Sequence, residues 1–201
     1  MTLILNSTEI KDCVKFNAEL IPVIEDAFKS LSLGKTVMPP ILRLDIEKYH
    51  GESDVKAAYI EGLDSFAVKV ASGFFNNPKL GLPSSNGLMI LLDSETGVIK
   101  SVLLDKGYLT DVRTAIAGAI ASKYLSNPDS STVAIIGTGI QARMQLEALT
   151  LVRDIKNVNV WSRDIKKTHA YIEDISKNFN LNFIPFDNTK EVVNNADILI
   201  T

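Results

Sequence analysis

Cysteine and histidine are scarce in this sequence, and their scarcity excludes several kinds of site. The 201 residues include one cysteine, Cys13, and two histidines, His50 and His169. A single cysteine cannot form a disulfide within the chain, and so few sulfur and imidazole groups cannot build the usual zinc sites. The sequence therefore predicts no metal centre, and a lone cysteine fits a reducing cytoplasm.

An excess of charge and long hydrophobic runs are missing as well. The chain has 21 Lys and Arg residues against 24 Asp and Glu, a net charge of -3, whereas binding to nucleic acid requires a basic face. No apolar run approaches the roughly 18 residues that a membrane helix needs. The N-terminal residues 1–7 show no basic leader or cleavage site for export. We expect neither nucleic acid nor a membrane as a partner.

Hydrophobic residues make up 46% of the sequence, and their spacing in residues 1–126 predicts a mixed α+β domain. A strand is expected at residues 2–5. A helix is expected after Asn17, its candidate N-cap, with Gly34 as its stop. From residue 37 to about 104, short alternating runs predict an antiparallel sheet that includes a tight hairpin turn at 93–97. A buried helix is predicted over 110–125.

After the turn-rich segment 126–131, strands and helices alternate. The predicted strands cover 132–136, 158–161, 183–186 and 196–201, and the predicted helices cover 141–151, 165–178 and 189–195. Such alternation implies a parallel sheet with right-handed crossovers. The sequence therefore predicts that residues 131–201 form the first part of a Rossmann-type α/β domain with an incomplete sheet.

A glycine-rich turn follows the first of these strands. Its G-x-G-x-x-A pattern consists of Gly137, Thr138, Gly139, Ile140, Gln141 and Ala142. Gly137 allows a sharp turn, Gly139 lets backbone amides approach a pyrophosphate, and the next helix offers its positive N-terminus. A glycine turn without a ligand is the plainer alternative. The strand–turn–helix context favours a site for a dinucleotide such as NAD(P).

The end of the second predicted strand bears on the choice between NAD and NADP. NAD sites usually carry an acidic residue there for the ribose 2′-hydroxyl, but this sequence has Ser162 and Arg163. Arg163, with Lys166 or Lys167 nearby, could pair with a 2′-phosphate. The same cations could be solvated surface charges, and Asp164 could still bind the ribose. The pattern favours NADP(H).

Three cations stand among apolar or small residues in the first part of the chain. Arg113 shares a predicted helical face with Ala117 and Ile120, and its planar guanidinium suits bidentate binding of a carboxylate. Lys69 lies between alanines on a predicted strand, where a lowered pKa would let it transfer protons. A snorkelling arginine and a solvated lysine are the alternatives. Arg43 alternates in the same way, and such a residue is more often on the surface.

Four segments, taken in order, resemble the ornithine cyclodeaminase and mu-crystallin family. They are Phe66–Gly73 (FAVKVASG), Leu88–Gly97 (LMILLDSETG), Leu109–Ala115 (LTDVRTA) and Ile136–Ala142 (IGTGIQA). The ordered set is specific, and the similarity extends from near the N-terminus to Thr201. Two further stretches, 59–66 and 81–87, most resemble the branch associated with ectoine breakdown.

The resemblance implies a homodimer with an α+β substrate-binding and dimerisation domain before the NAD(P)-binding domain. Family members transfer a hydride at the α-carbon of a small amino or imino acid, as amino-acid dehydrogenases, ketimine reductases or cyclodeaminase-type lyases. The resemblance also implies that Lys69 and Arg113 bind the substrate carboxylate, that Arg43 is a further substrate-binding residue, and that Lys69 is the catalytic candidate. A non-catalytic protein that binds nucleotide and ligand, as mu-crystallin does, is the alternative from a different class.

Two features depart from the family pattern. Cyclodeaminases carry a glutamate near the strand before Lys69, where this sequence has Lys56 or, if the alignment gap is placed differently, Glu61. The missing or displaced glutamate argues against cyclodeaminase chemistry. Family members also continue for well over a hundred residues, through their C-terminal third, and the aspartate taken as catalytic would follow Thr201. We therefore expect the 201-residue chain alone to expose apolar surface and to lack the family's activity.

Overall fold

The structure, a computed structural model, describes residues 1–201, and the chain folds into two compact units. The first unit comprises residues 1–16 and 25–110, and the second comprises residues 17–24 and 111–201. This division differs from the predicted domains at 1–126 and 131–201, because most of the helix predicted at 110–125 belongs to the second unit. Whether either predicted domain folds separately stays a prediction. None of the helices is both long enough and apolar enough to span a membrane.

The first unit is built on a seven-stranded sheet. Its strands are β1 (Leu3–Asn6), β2 (Thr36–Val37), β3 (Leu42–Ile46), β4 (Gly51–Ile60), β5 (Ser65–Phe74), β6 (Ser85–Asp93) and β7 (Ile99–Leu104). The order is β1-β7-β6-β5-β4-β2, with β3 also paired to β4. Neighbours from β2 to β7 pair antiparallel, and β6 and β7 flank the hairpin turn, as predicted. The parallel pairing of β1 with β7 has no local signal in the sequence.

Two helices differ from the sequence-based expectation. The sequence predicts no element between the first strand and Asn17, but the structure forms helix α1 (Ser7–Cys13) there. Asn6 accepts N–H groups of the first turn, and the Glu9 carboxylate accepts the Asn6 N–H, which is a complete capping box. Helix α2 (Leu20–Ser32) begins three residues after its predicted N-cap, because the Asn17 side chain accepts the Glu19 N–H in a separate turn.

The second unit follows the predicted alternation closely. Its elements are α3 (Tyr108–Leu125, which starts in the first unit), β8 (Thr132–Ile136), α4 (Ile140–Thr150), β9 (Asn157–Trp161), α5 (Ile165–Ile175), β10 (Asn182–Pro185), α6 (Thr189–Val192) and β11 (Ile198–Ile200). The strands are parallel in the order β10-β9-β8-β11. This third-second-first-fourth order is that of a Rossmann sheet, which confirms the predicted fold class.

The strand order also locates a ligand crevice. The chain progresses outward from β8 through β9 to β10 and then returns to pair β11 with the opposite side of β8. In open parallel sheets, ligands bind beyond the carboxyl ends of the strands where the order reverses in this way. Gly137 follows β8 and Ser162 follows β9, so these two predicted cofactor residues lie at that edge of the sheet.

Candidate active site

The glycine loop after β8 has the backbone and the free space that a pyrophosphate requires. Gly137 adopts φ +118, in the region that side-chain-bearing residues rarely enter, and its N–H donates to the Trp161 carbonyl oxygen at 2.8 Å. Apart from the glycine itself and its two chain neighbours, no atom lies within 4 Å of where a Cβ would stand at Gly137 or Gly139. The two glycines are therefore not dictated by crowding inside the chain and leave room for a ligand to approach.

The N-terminus of α4 is open as well. Gly139 is its N-cap, so no side chain caps the helix, and the first turn contains no acidic residue. The first N–H groups of a helix have no partner within the helix and carry partial positive charge. A pyrophosphate is the anion that glycine loops of this shape bind. These features fit the nicotinamide dinucleotide that the sequence predicts.

A cleft of about 420 Å³ opens beside this loop. It is lined in part by Gly137, Thr138, Ser162, Arg163, Asp164 and Lys167. The structure thus brings together four of the predicted cofactor residues, from the loop after β8 and from the end of β9.

The residues after β9 have separate tasks within that cleft. The Ser162 hydroxyl donates to the Asp164 carbonyl oxygen at 2.8 Å and lies 2.9 Å from the Thr168 hydroxyl, so it shapes the turn. Asp164 caps α5 through Oδ1, which accepts the Lys166 N–H at 3.0 Å. Arg163 is exposed and forms no hydrogen bond or ion pair within residues 1–201. Its guanidinium is therefore available to a phosphate group.

The last three residues of the glycine motif point in different directions. Ile140 is exposed, whereas Ala142 is buried and its carbonyl oxygen accepts the Tyr171 hydroxyl at 3.1 Å. Burial raises the pKa of Tyr171 to about 12, so this hydroxyl remains a donor. The Gln141 side chain donates to Asp111 on α3, which leaves its backbone N–H as its contribution to the loop.

Lys69 lies on β5 in the first unit and is half-buried. Its cross-strand neighbours are Lys56 on β4 and Met89 on β6, and its Nζ donates to the Thr110 hydroxyl at 3.4 Å. Glu61 lies beyond the end of β4, in an exposed turn. Lys56 is therefore the residue of β4 directly opposite Lys69, whereas Glu61 lies outside that strand.

Arg43 lies on β3 in the middle of an acidic cluster. Its guanidinium binds Asp45 at 2.9 Å, forms a close ion pair with Glu52, and lies 4.0 Å from Asp54, its cross-strand partner. The hydrogen bond to Asp45 and the charges of these acids raise the pKa of Arg43. Lys56 also binds Asp54, at 3.0 Å. A substrate carboxylate would have to compete with these acids for Arg43.

Arg113 is placed differently from the expectation of an arginine aligned with an apolar stripe. The buried stripe of α3 consists of Val112, Ala115, Ile116, Ala119 and Ile120. Arg113 and Tyr124 are exposed beside it. Because the middle of this helix is small and apolar on every side, the sequence could not show which face is buried. The guanidinium is accordingly accessible to a ligand.

No group of three or more His, Cys, Asp or Glu residues in residues 1–201 could hold a metal ion.

Comparisons with known proteins show which family this chain is similar to. The model of the ornithine cyclodeaminase/mu-crystallin family matches residues 1–201. A protein of Sinorhizobium fredii named as an uncharacterized cyclodeaminase is 48% identical over 199 residues, which are 98% of this chain and 60% of that protein. The chain therefore spans about 60% of the length of the curated relatives it matches.

Two solved structures share the fold. The Thermococcus litoralis Δ1-pyrroline-2-carboxylate reductase in complex with NADH and L-proline has a TM-score of 0.92 at 32% identity, covering 98% of this chain and 61% of that one. An archaeal alanine dehydrogenase dimer with bound NAD has a TM-score of 0.86 at 33% identity, covering 95% of this chain and 57% of that one.

Proposed function

This chain belongs to the ornithine cyclodeaminase/mu-crystallin family, and we propose that it serves an NAD(P)-dependent enzyme that transfers a hydride at the α-carbon of a small amino or imino acid. The observation that carries the proposal is the uncapped N-terminus of α4 behind two open glycines at the switch point of a Rossmann sheet. Relatives described with NADH and L-proline, or as an alanine dehydrogenase with NAD, support the substrate class.

The chain's own residues supply binding and proton handling. Bound NAD(P)H would supply the hydride, since the cofactor carries this chemistry in such enzymes. We assign the accessible, planar guanidinium of Arg113 to bidentate binding of the substrate carboxylate. We assign Lys69, held beside the Thr110 hydroxyl, to the same substrate, as a carboxylate partner and proton donor. Arg43 is the weakest of the three assignments, because carboxylates already surround it.

Within this reaction class, the residue opposite Lys69 favours a reductase or dehydrogenase over a cyclodeaminase. The resemblance places a glutamate near the strand before Lys69 in cyclodeaminases, whereas the residue directly opposite Lys69 in this chain is Lys56. An ammonium group cannot accept a proton or attract the side-chain amine of a diamino acid as a carboxylate does. We therefore expect no ammonia release from L-ornithine under conditions in which an imine is reduced.

The exposed Arg163 favours NADPH over NADH. Its guanidinium lines the cleft beside the glycine loop and has no partner to release before it binds a 2′-phosphate. Asp164, the acid that could instead bind the ribose hydroxyls, already uses one carboxylate oxygen to cap α5. We therefore propose NADP(H) as the preferred cofactor.

We also propose that the protein is a homodimer formed through the first unit. Two rows of aliphatic side chains cross one face of its sheet in register: Leu42, Val55, Val70 and Leu88 in one row, and Ala57, Val68, Ile90, Val102 and Ile4 in the other. Leu42 is 55% exposed and Ile4 is 64% exposed. An uncovered apolar face of this kind is typical of an interface between subunits.

The proposed reaction is tested by a scan of NADH and NADPH oxidation by the full-length protein. The acceptors are pyruvate with ammonia, Δ1-pyrroline-2-carboxylate and iminosuccinate, with L-ornithine deamination followed in parallel. We expect one of the imines to oxidise the cofactor and L-ornithine to release no ammonia. Tight cofactor binding without oxidation by any acceptor would instead support the non-catalytic alternative.

A further inference from the structure

Gln141 stands in the first turn of α4, yet its side chain is bound to α3. Its amide nitrogen Nε2 lies 3.0 Å from the Oδ1 atom of Asp111 and 3.3 Å from the Asp111 carbonyl oxygen. Both residues are half-buried. A side-chain amide with two acceptors on one residue, partly shielded from water, holds that residue more firmly than an exposed contact would.

A second glutamine fixes the orientation of this amide. Gln145, one turn further along α4, donates through Nε2 to the Gln141 Oε1 atom at 3.4 Å. Because Oε1 accepts that bond, Nε2 is the atom that faces Asp111. The Gln145 side chain also packs on Gly118 of α3, where a Cβ would stand 2.9 Å from its Oε1 atom. Helices α3 and α4 therefore contact each other at two places, through Gln141 with Asp111 and, one turn further along α4, through Gln145 with Gly118.

The two helices carry different halves of the proposed site. The first turn of α4 presents the amides that would bind the cofactor pyrophosphate. Helix α3 carries Arg113, two residues after Asp111. Helix α3 is held rigidly at Asp111 and Arg113, because its face from Val112 to Ile120 is buried in the second unit. A displacement at one end of the Asp111–Gln141 contact is therefore transmitted to the other.

We propose that Gln141 is a positioning residue that couples cofactor binding at the glycine loop to the orientation of Arg113 on α3. The inference rests on the proposed function, since it needs a dinucleotide at the loop and a carboxylate ligand at Arg113. Without the Asp111–Gln141 contact, the first turns of the two helices are no longer directly connected, so more of their relative order must form when ligands bind. Coupling of this kind acts on both sites by the same factor.

The test is a double-mutant cycle on the full-length protein, with NADPH and NADH affinity measured by titration calorimetry. Gln141→Ala and Asp111→Ala should each raise the cofactor Kd by about fivefold to tenfold. The double variant should have a cofactor Kd no higher than that of either single variant. Asp111→Asn keeps the acceptor oxygen and should retain the parental affinity. Asp154→Ala, which removes an exposed acid paired with Lys156, is the control. For an accepted imine, KM should rise in the same two variants more than kcat falls.

The outcomes separate the inference from the proposed function. A weaker Kd in Gln141→Ala but not in Asp111→Ala would mean that the Gln141 side chain touches the cofactor itself, and would overturn the coupling. A lower melting temperature with unchanged Kd and KM would show a purely structural contact and would also overturn it. Should the alanine variants fail to fold, Gly118→Ala displaces only the end of Gln145 and should raise Kd by about twofold. A parent protein that binds neither NADH nor NADPH would instead refute the proposed function, and the inference with it.

Discussion

The two units of this chain bury their hydrophobic residues to different extents. In the second unit, Val133, Ala134, Ile135, Val158 and Val160 of the two central strands are all 0% exposed. In the sheet of the first unit, nearly every strand residue is half-buried or exposed, and Gly51 and Ser101 are its buried members. A parallel sheet flanked by helices completes its own core, whereas an antiparallel sheet can leave one face uncovered. The second unit therefore buries a core of its own, whereas the sheet of the first unit keeps apolar side chains partly exposed.

The largest effect that would test this comparison is expected at the uncovered face. Val70→Lys places a charge at an inner position of the apolar row that Leu42, Val55, Val70 and Leu88 form, where a second copy would have to desolvate it. We expect the dimer to dissociate, as measured by sedimentation velocity. Val98→Lys is the matched control, because Val98 is 62% exposed in the hairpin turn. A dimer that survives Val70→Lys unchanged would show that another surface forms the interface.

The next largest effect is expected at Arg113, which we propose binds the substrate and not the cofactor. Arg113→Lys keeps the positive charge but loses the planar fork, so kcat/KM should fall by roughly 10- to 1000-fold while cofactor affinity is retained. Steady-state kinetics and calorimetry on the same preparation measure both quantities. Unchanged kinetics with a lower melting temperature would mean that Arg113 serves the fold alone.

A smaller and selective effect is expected in the cofactor cleft of the second unit. Arg163→Ala should weaken NADPH binding about tenfold or more and leave NADH binding nearly unchanged, because the guanidinium would contact the 2′-phosphate alone. Lys177→Ala, which removes an exposed cation whose neighbour is Asp174, provides the comparison. Equal losses for both cofactors, or a parent protein that prefers NADH, would contradict the assignment.

The smallest effect concerns the pH dependence of the second unit. The Asp197 carboxylate accepts the N–H groups of Ser131 and Thr132 at 2.8 and 2.9 Å, and these bonds lower its pKa. A carboxyl whose pKa is lowered in the folded state stabilises the protein above its unfolded pKa, and this contribution is lost as the pH falls through the folded value.

Asp197→Ala should therefore lower the free energy of unfolding at pH 7 by about 1 kcal/mol, a value reduced for solvent exposure. Urea denaturation at a series of falling pH values should show this difference shrinking below the ordinary pKa range of an aspartate, as the parent carboxyl takes up its proton. Asp154→Ala, at an exposed acid paired with Lys156, should show little change. A difference for Asp197→Ala that is independent of pH would mean that the lost packing, and not the charge, is responsible.

Local patterns predicted the second unit far better than the first. Strand β8 was predicted with its observed bounds, because a short apolar run between turn residues indicates a buried strand even when the neighbouring strands are unknown. The capping pattern of α1, Asn6 followed by Glu9, is also present in the sequence, but the sequence-based prediction for this region does not include that helix. The position of Lys56 opposite Lys69 depends on the register of β4 and β5 through an exposed turn, and one sequence does not fix that register.

The site residues show the same limit. The glycine loop could be assigned from spacing alone, because its backbone geometry is encoded in two glycines and the helix that follows. The exposure of Arg113 could not, because a helix of small apolar residues has no polar face to orient it. The contact between Gln141 and Asp111 joins residues 30 positions apart and leaves no periodic trace in the sequence.

The most direct test of the central claim follows the hydride itself. The full-length protein is supplied with NADPH deuterated at the transferable C4 position and with the imine that it accepts, and the amino-acid product is examined by NMR and mass spectrometry. The account predicts one deuterium, bonded to the α-carbon. A product without deuterium at that carbon, or cofactor that binds at the glycine loop and is never oxidised by an imine, would contradict it.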